Sequence, residues 1–327
     1  MQIAQAGGNR PIRDRPSASS RGADMGKAMT WEKLRQMIDE GYGQGHGDLY
    51  RPFIQIRRRN CSPKGNQSVG PLPGCVRPFH ALTRVERQFG MLCYWLGALD
   101  VREQLPAWPF PHRHPLAGVM GTSLFDNITV PGLIELAAEA EIEHGVFPGS
   151  NVPYVATLDV VATVAGAAPP RMVVISCKAG ADLANARLTS RMIERLELER
   201  RYCKSVSARY HVAHELALSK SLLSNLEVCG VSVSQKHRIF AAAGFETFKE
   251  TLKEAIEKTS IRSAVELAVS RSRLDPTLAW PAFHLLAWCL ELDIDLSHPK
   301  VTSQRAVLGG RLLRDALHRR LLSEEAA

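Results

Sequence analysis

The fold class is decided by two apolar runs, YVATLDVVATVA at residues 154–165 and RMVVISCK at residues 171–178. Both runs are rich in Val, Ile, Thr and Ala, which favour strands. The segment 166–170 between them contains Gly and Pro and is typical of a turn. The pattern therefore predicts a hairpin of two neighbouring strands.

Helical patterns flank this hairpin on both sides. A helix is predicted over residues 83–99, and a short strand over 100–105 follows and is expected to end at Pro106. After the hairpin come a long helix at about 188–205 and a β-prone run at 208–213. Intermixed strands and helices predict an α/β domain. The apolar residues that form one face of the first helix are Leu82, Val85, Phe89, Leu92 and Leu96.

The pattern becomes mostly helical after about residue 226. We therefore divide the chain into a disordered basic tail (1–28), an α/β domain (29–228) and a helical C-terminal domain (229–327). The Pro-, His- and Gly-rich region 106–153 is the part that the pattern defines least, with one helical piece predicted near 133–143.

The composition excludes several classes of protein. Of the 327 residues, 45% are hydrophobic and 23% are charged, unlike a mostly disordered, collagen-like or coiled-coil chain. No apolar run is long enough to cross a membrane, and the N-terminus lacks the apolar core of a secretory signal. Seven cysteines without a Cys-x-x-Cys pair indicate reduced thiols and a cytoplasmic protein.

The positive charge is concentrated near the N-terminus. Residues 1–80 hold 13 Lys/Arg and 6 Asp/Glu, a net of +7 out of the total of +8. This distribution indicates a polyanionic partner, most simply nucleic acid. The alternative is a solvated basic tail without a dedicated ligand.

The hairpin carries residues that are able to perform phosphodiester chemistry. Ser176 and Lys178 share one face of their strand because side chains alternate along it, and the hairpin can bring Asp159 beside them. An Asp on one strand and an x-Lys pair on the next is the arrangement of metal-dependent nucleases. Here Ser176 replaces the usual acid and is a weaker ligand. The alternative is a structural hairpin in which Asp159 faces water and Lys178 marks a strand end.

Glu86 is the second candidate acid, in the first turn of the predicted helix 83–99. Thr83-Arg84-Val85-Glu86 also fits a capping box, in which the Glu86 carboxylate bonds back to the Thr83 N–H. Both interpretations stay open, because a first-turn carboxylate can cap the helix in one state and bind metal in another.

The helix at 188–205 interleaves basic and acidic residues. They fit a solvated face with ion pairs one turn apart. The functional alternative is phosphate contact beside the metal site. The charged residues are Arg191, Arg195, Arg200, Arg201 and Lys204, together with Glu194, Glu197 and Glu199.

Taken in order, these motifs resemble the TnsA family, the endonuclease subunits of heteromeric cut-and-paste transposases. The resemblance covers about residues 50–228 and continues more weakly to the end of the chain. Its motifs are Thr83-x-x-Glu86, Asp100-Val101-Arg102-Glu103-Gln104-Leu105-Pro106, Tyr154-x-x-Thr157-x-Asp159, Ser176-x-Lys178 and Glu194-Arg195-Leu196-Glu197-Leu198-Glu199-Arg200-Arg201-Tyr202.

The resemblance implies a restriction-endonuclease-like nuclease domain of the PD-(D/E)xK type, followed by a helical, winged-helix-like domain for partner or DNA docking. It implies that Glu86 and Asp159 bind Mg²⁺, for which Mn²⁺ substitutes, and that Lys178 is the catalytic lysine. Ser176 stands where the family usually has Gln or Glu, and the Cys177 carbonyl is implied as a backbone ligand. Because serine is a weaker ligand, this departure from the family pattern is expected to lower the affinity for metal.

The function implied by the resemblance is cleavage of the 5′ ends of a transposon. The implied partners are double-stranded DNA at the transposon ends, a DDE transposase like TnsB and an AAA+ ATPase like TnsC. The implied location is the bacterial cytoplasm, in association with the nucleoid, and no membrane is implied as a partner. Two alternatives stay open. One is a stand-alone restriction-like or repair nuclease, and the other is a catalytically weak adaptor that binds DNA or partners with the same fold.

Overall fold

The computed structural model describes residues 28–57, 66–165, 169–178 and 189–323. The predicted basic tail therefore lies outside the described residues, except for its last position. The elements up to the last strand are α1 (Trp31–Asp39), β1 (Ser68–Pro71), β2 (Pro78–Ala81), α2 (Arg84–Trp95), β3 (Asp100–Ala107), β4 (His112–Arg113), β5 (Thr129–Val130), α3 (Leu133–Glu139), β6 (Ala156–Val164), β7 (Arg171–Cys177), α4 (Ser190–Ser205) and β8 (Arg209–Ala213).

A four-stranded mixed sheet organises this part of the chain, with the strand order β3-β6-β7-β8. The predicted hairpin forms β6 and β7, which pair antiparallel with Val160 opposite Ile175. Strand β3 pairs antiparallel with β6, and β8 pairs parallel with β7. The mixed α/β architecture expected from the sequence is thus confirmed.

Strand β3 is longer than predicted. It was expected to stop at Pro106, but it continues to Ala107, and Pro106 pairs with Thr157. Proline lacks the backbone N–H, which each residue of a central strand donates to one of the two neighbouring strands. It is tolerated here because β3 is an edge strand that pairs on one side only.

The two faces of the sheet are buried in two separate apolar cores. The core on the α2 side joins Phe89 and Leu92 of α2 to Val160 of β6. The core on the α4 side joins Tyr202 of α4 to Val161 of β6. The alternation of strand residues therefore explains why both strands of the hairpin are almost continuously apolar.

The segment before β1 packs against β3. The Tyr50 hydroxyl donates to the carbonyl of Glu103 at 2.8 Å, and the Phe53 N–H donates to the carbonyl of Gln104 at 3.3 Å. Helix α1 begins after Thr30, whose hydroxyl accepts from the Lys33 N–H as its N-cap.

The remaining elements are helical, as predicted. Helix α5 crosses residue 228, where the two domains were divided, and its Leu226 lies in the same core as Phe89 of α2 and Phe283 of α9. The division itself stays a prediction. These helices are α5 (Lys220–Val231), α6 (Lys236–Phe240), α7 (Phe245–Ile256), α8 (Ile261–Arg271), α9 (Ala279–Trp288) and α10 (Gly310–Leu321).

Two further expectations concern the whole chain. The six cysteines in the described part of the chain are free thiols, as predicted. Among the described residues, none of the helices combines the length and apolarity that crossing a bilayer requires.

Candidate active site

Asp159 lies on β6 opposite Ser176 of β7, in the register set by the Val160–Ile175 pair. Its Oδ2 accepts a hydrogen bond from the Cys177 N–H at 2.7 Å and lies 3.4 Å from the Lys178 Nζ. The hairpin therefore brings the predicted Asp and Lys together. The side chains of Asp159 and Lys178 are 19% and 21% exposed, so both are reachable from solvent.

Ser176 is fully buried and belongs to a hydrogen-bonded chain behind this pair. Its Oγ accepts from the Lys178 Nζ at 2.8 Å, which fixes the end of the lysine side chain. Burial raises the pKa of the Cys177 thiol well above its usual range, so this thiol is not a nucleophile.

Glu86 lies in the first turn of α2 and is 3% exposed. Its Oε1 accepts from the Thr83 hydroxyl at 3.0 Å, and its Oε2 accepts from the Leu82 N–H at 2.9 Å. The Thr83 Oγ1 accepts from the Glu86 N–H at 3.2 Å and caps the helix. The capping arrangement predicted from the sequence is present, but the carboxylate binds the N–H of Leu82 where that of Thr83 was expected.

Glu86 also lies close enough to Asp159 for the two carboxyl groups to interact. Burial, and then repulsion by Asp159, raise the pKa of Glu86 to about 7. A buried carboxyl beside a second carboxylate is stabilised by a nearby cation, because the cation favours the ionised forms of both. The pair is therefore a candidate for binding a cation.

Gln104 is a central residue of the site that the sequence analysis used only as part of a strand motif. Its side-chain Nε2 donates to the Glu86 Oε2 at 3.1 Å, and its Oε1 accepts from the Thr157 hydroxyl at 2.7 Å. Gln104 is 1% exposed and has a φ of 49°. A run of polar residues inside a short predicted strand was the available signal, because a buried amide requires hydrogen-bond partners.

Glu199 is a second residue whose role was missed. It was grouped with the solvated charges of α4, but it is 7% exposed and its Oε2 accepts from the Tyr210 hydroxyl at 3.0 Å. Burial raises the pKa of Glu199, whereas Lys178 and a hydrogen bond with Ser176 lower it. A carboxyl group thus lies directly behind Ser176. At position 176 itself, the resemblance implies a Gln or Glu side chain. The spacing of Glu199 from Tyr202, on the buried face of the helix, was the available signal.

The other charged residues of α4 largely follow the solvated interpretation. Arg200 and Arg201 both bind Glu197, at 2.7 and 2.8 Å. Hydrogen bonding from Arg200 and then from Arg201 lowers the pKa of Glu197 to about 2, which keeps it ionised. Arg191 binds Glu194 at 2.9 Å. Such exposed pairs contribute little to stability.

The donor set at the hairpin suits a hard divalent cation. Glu86 and Asp159 are oxygen donors whose repulsion a cation relieves. The Ser176 Oγ is buried and already accepts from the Lys178 Nζ, and the roles of Ser176 and of the Cys177 carbonyl as ligands stay predictions. In the described ranges, however, no group of three His, Cys, Asp or Glu side chains forms a metal cage. Mg²⁺ commonly uses one or two carboxylates and completes its shell with water and substrate phosphate, so two acids suffice.

A cavity of about 510 Å³ lies away from the hairpin site, between α1 and residues 102–117. It is lined by His46, His112 and His114, and burial lowers the pKa of all three imidazoles. Among the described residues that line it, none is acidic, although Asp100 lies 3.9 Å from His46. Its chemistry is therefore unlike that of the hairpin site.

The chain is similar to the Transposon Tn7 transposition protein TnsA of Escherichia coli. The two are 25% identical over 196 residues, which span 60% of this chain and 61% of that protein. The chain therefore aligns with about three fifths of the length of this relative. The resemblance to TnsA that the motifs indicated is confirmed by this match. No family model matches the chain.

Proposed function

We propose that this protein is a divalent-metal-dependent DNA endonuclease subunit of a heteromeric transposase, which cuts the 5′ ends of a transposon. The observation that carries the proposal is the meeting of Glu86, Asp159 and Lys178 at one end of the β6–β7 hairpin. The similarity to a Tn7 transposition protein supports the biological setting. The corresponding fold is restriction-endonuclease-like, with a winged-helix-like C-terminal domain.

The metal is Mg²⁺, with Mn²⁺ able to substitute, and Glu86 and Asp159 hold it. When bound, it supplies Lewis-acid stabilisation of the phosphoryl oxygens. Gln104 and Thr83 orient the Glu86 carboxylate through hydrogen bonds to Oε2 and Oε1 respectively. The Cys177 N–H orients the Asp159 carboxylate in the same way.

Lys178 provides the fixed positive charge at the reacting phosphate. Its Nζ lies between Asp159 and Ser176, at 3.4 and 2.8 Å. In this position it is able to orient the attacking water and to stabilise the charge that develops on the phosphate. Ser176 and Glu199 hold the lysine from behind, so their role is to position it. Hydrolysis in this arrangement leaves a 3′-OH and a 5′-phosphate.

The proposed partners are double-stranded transposon ends, a DDE transposase like TnsB that processes the 3′ ends and an AAA+ ATPase like TnsC. The test is cleavage of an end-labelled transposon end with Mg²⁺, with and without the partner transposase, and with Asp159→Ala protein as the control. We expect 5′-strand cleavage that requires the partner and Asp159. Cleavage by the chain alone would indicate a stand-alone nuclease.

The adaptor alternative also has an observation in its favour, namely that Ser176 offers no acid on the Lys178 strand. Its expected result in the same experiment is a complete assembly that binds DNA without metal-dependent cutting. Glu199, which stands behind Ser176, supports the catalytic interpretation over the adaptor.

A further inference from the structure

A second cavity of about 190 Å³ adjoins the candidate active site at Glu199. Helix α4 contributes Arg191, Arg195 and Glu199 to one wall, and Tyr154 and His144 form the facing wall. Because Glu199 also interacts electrostatically with Lys178 and Asp159, the cavity and the hairpin site share this carboxyl group. A ligand in the cavity would therefore lie near the reacting phosphate.

Arg195 differs from the other arginines of α4. Arg191 binds Glu194, whereas Arg200 and Arg201 bind Glu197. Within the described parts of the chain, Arg195 has neither an ion pair nor a hydrogen bond, and its guanidinium carbon lies 6.0 Å from the centroid of the Tyr154 ring. The five N–H donors of its guanidinium are thus available to a ligand.

We propose that Arg195 binds a backbone phosphate of the DNA strand that enters the active site, in a subsite formed by this cavity. The inference rests on the proposed function, since it takes the substrate to be DNA. A planar guanidinium matches two phosphate oxygens at once. Arg191, one helical turn before Arg195, also lines the cavity, but its charge is paired with Glu194.

The helix geometry assigns this phosphate to a position beside the scissile one. Arg195 precedes Glu199 by four residues, which is about 6 Å along the helix axis and keeps both side chains on one face. The subsite is therefore displaced from Glu199, which interacts with Lys178, by about one helical turn. It holds the strand on one side of the cut, while Glu86, Asp159 and Lys178 act on the cut itself.

Arg200 provides a matched control on the same helix. Five residues separate it from Arg195, which places its side chain on a different face of the helix. It is exposed and its charge is compensated by Glu197, whose pKa is held at about 2. Non-specific attraction by the positive helix would treat the two arginines alike, whereas a phosphate subsite distinguishes them.

The first experiment measures binding of the full-length protein to a short transposon-end duplex by fluorescence anisotropy, across salt concentrations and without divalent metal. We expect Arg195→Gln to weaken binding and to reduce the slope of log K against log salt by about 1. We expect Arg195→Lys to keep the slope and Arg200→Gln to behave like the parent. A parental slope for Arg195→Gln, or equal losses for Arg195→Gln and Arg200→Gln, would overturn the subsite.

A second experiment locates the phosphate. Each linkage near the cut is replaced in turn by a neutral methylphosphonate, and the affinity of the parent and of Arg195→Gln is measured. One linkage next to the cut should weaken binding of the parent and leave binding of Arg195→Gln unchanged, because the two changes remove the same contact. Additive losses at every linkage would contradict the proposal.

Cleavage is measured separately, with the partner transposase. Coupling between Arg195 and one linkage in a protein that never cuts would refute the nuclease function and leave the DNA subsite standing. Normal cutting without that coupling would refute the subsite and leave the nuclease function standing.

Discussion

Gln104 lies opposite Asp159 on the neighbouring strand, and the β3–β6 ladder skips this pair while keeping one register on both sides of it. Glu103 pairs with Val160 and Leu105 pairs with Leu158. Gln104 has a φ of 49°, a conformation that residues with a Cβ rarely adopt. Strain of this kind costs about 1–3 kcal/mol and persists only where the surroundings enforce it.

The contacts that enforce this conformation reach the candidate metal site. The Gln104 carbonyl turns out of the ladder and accepts from the Phe53 N–H, while the side chain binds Glu86 and Thr157. Along β3, Val101 lies in the α2-side core and Leu105 in the α4-side core. The strand therefore changes faces at Gln104, beside the carboxylates.

The first prediction concerns Gln104 itself. Gln104→Met keeps the size of the side chain but removes the amide, which leaves the Thr157 hydroxyl and one oxygen of Glu86 with fewer partners. We expect the free energy of unfolding to fall by about 1–3 kcal/mol, and Mn²⁺ binding measured by calorimetry to weaken. Gln104→Gly is the matched control, because it also lacks the amide but relieves the strained φ. Parental Mn²⁺ affinity in both variants would contradict the positioning role.

Asp159 and Lys178 give the second prediction. Asp159→Ala and Lys178→Ala should each abolish strand cleavage and keep the parental circular dichroism spectrum, because both side chains lie at the rim of the sheet. Asp159→Ala should also lose Mn²⁺ binding in calorimetry, whereas Lys178→Ala should retain it. Lys204→Ala, at the exposed end of α4, is the control and should cut like the parent. Substantial cutting by Asp159→Ala would refute the assignment at this hairpin.

The third prediction separates the two kinds of acid on α4. Glu199→Gln keeps an oxygen for the Tyr210 hydroxyl but removes the buried charge beside Ser176 and Lys178. We expect reduced cleavage with a melting temperature at or above that of the parent, since a buried amide avoids the desolvation of a carboxylate. Glu197→Gln, which loses only exposed ion pairs, should cut normally and change the free energy of unfolding by less than about 1 kcal/mol. Equal cleavage by both variants would show that Glu199 is a structural residue.

The fourth prediction is a pH dependence of stability caused by Glu86. Its pKa is raised to about 7 in the folded protein, from 4.5. The folded state therefore binds more protons than the unfolded state between these two pH values, and its stability falls as pH rises through this window, by at most about 3 kcal/mol. Denaturant titrations from pH 4 to 8 should show this fall in the parent. Glu86→Gln should show a flatter profile, and added Mn²⁺ should remove the fall in the parent. Identical profiles for parent and variant would contradict the assignment.

The sequence predicts those parts of the site that depend on local patterns. The two apolar runs and the turn between them place Asp159 and Lys178 on adjacent strands, and the first-turn position of Glu86 follows from the cap at Thr83. The extended β3 could not be predicted, because Pro106 is acceptable only on an edge strand, and strand order is a property of the whole fold.

The roles of Gln104 and Glu199 depend on contacts that are distant in sequence. The carbonyl of Gln104 accepts from Phe53, about fifty residues earlier, and no local motif specifies the positive φ of Gln104. The spacing of Glu199 from Tyr202 indicates the buried face of α4, but its place beside Ser176 and its hydrogen bond from Tyr210 depend on the packing of the helix against β7 and β8. Tertiary burial, and not local propensity, therefore selects the second group of site residues.

The last prediction separates the capping role of Glu86 from a metal-binding role. In Glu86→Gln, the amide oxygen can accept from the Leu82 N–H and from Gln104, while the amide nitrogen can donate to the Thr83 hydroxyl oxygen. The three contacts of the cap therefore survive, and we expect the melting temperature without metal to be at least that of the parent. A neutral amide is a poorer ligand than a carboxylate for a hard cation, so cleavage and Mn²⁺ binding should both be lost.

Thr83→Ala should behave in the opposite way. It removes the N-cap and lowers the free energy of unfolding by about 0.5–2 kcal/mol. It leaves the Glu86 charge in place, so most cleavage should be retained. Parental cleavage by Glu86→Gln would restrict Glu86 to its structural role and leave Asp159 as the remaining predicted carboxylate ligand.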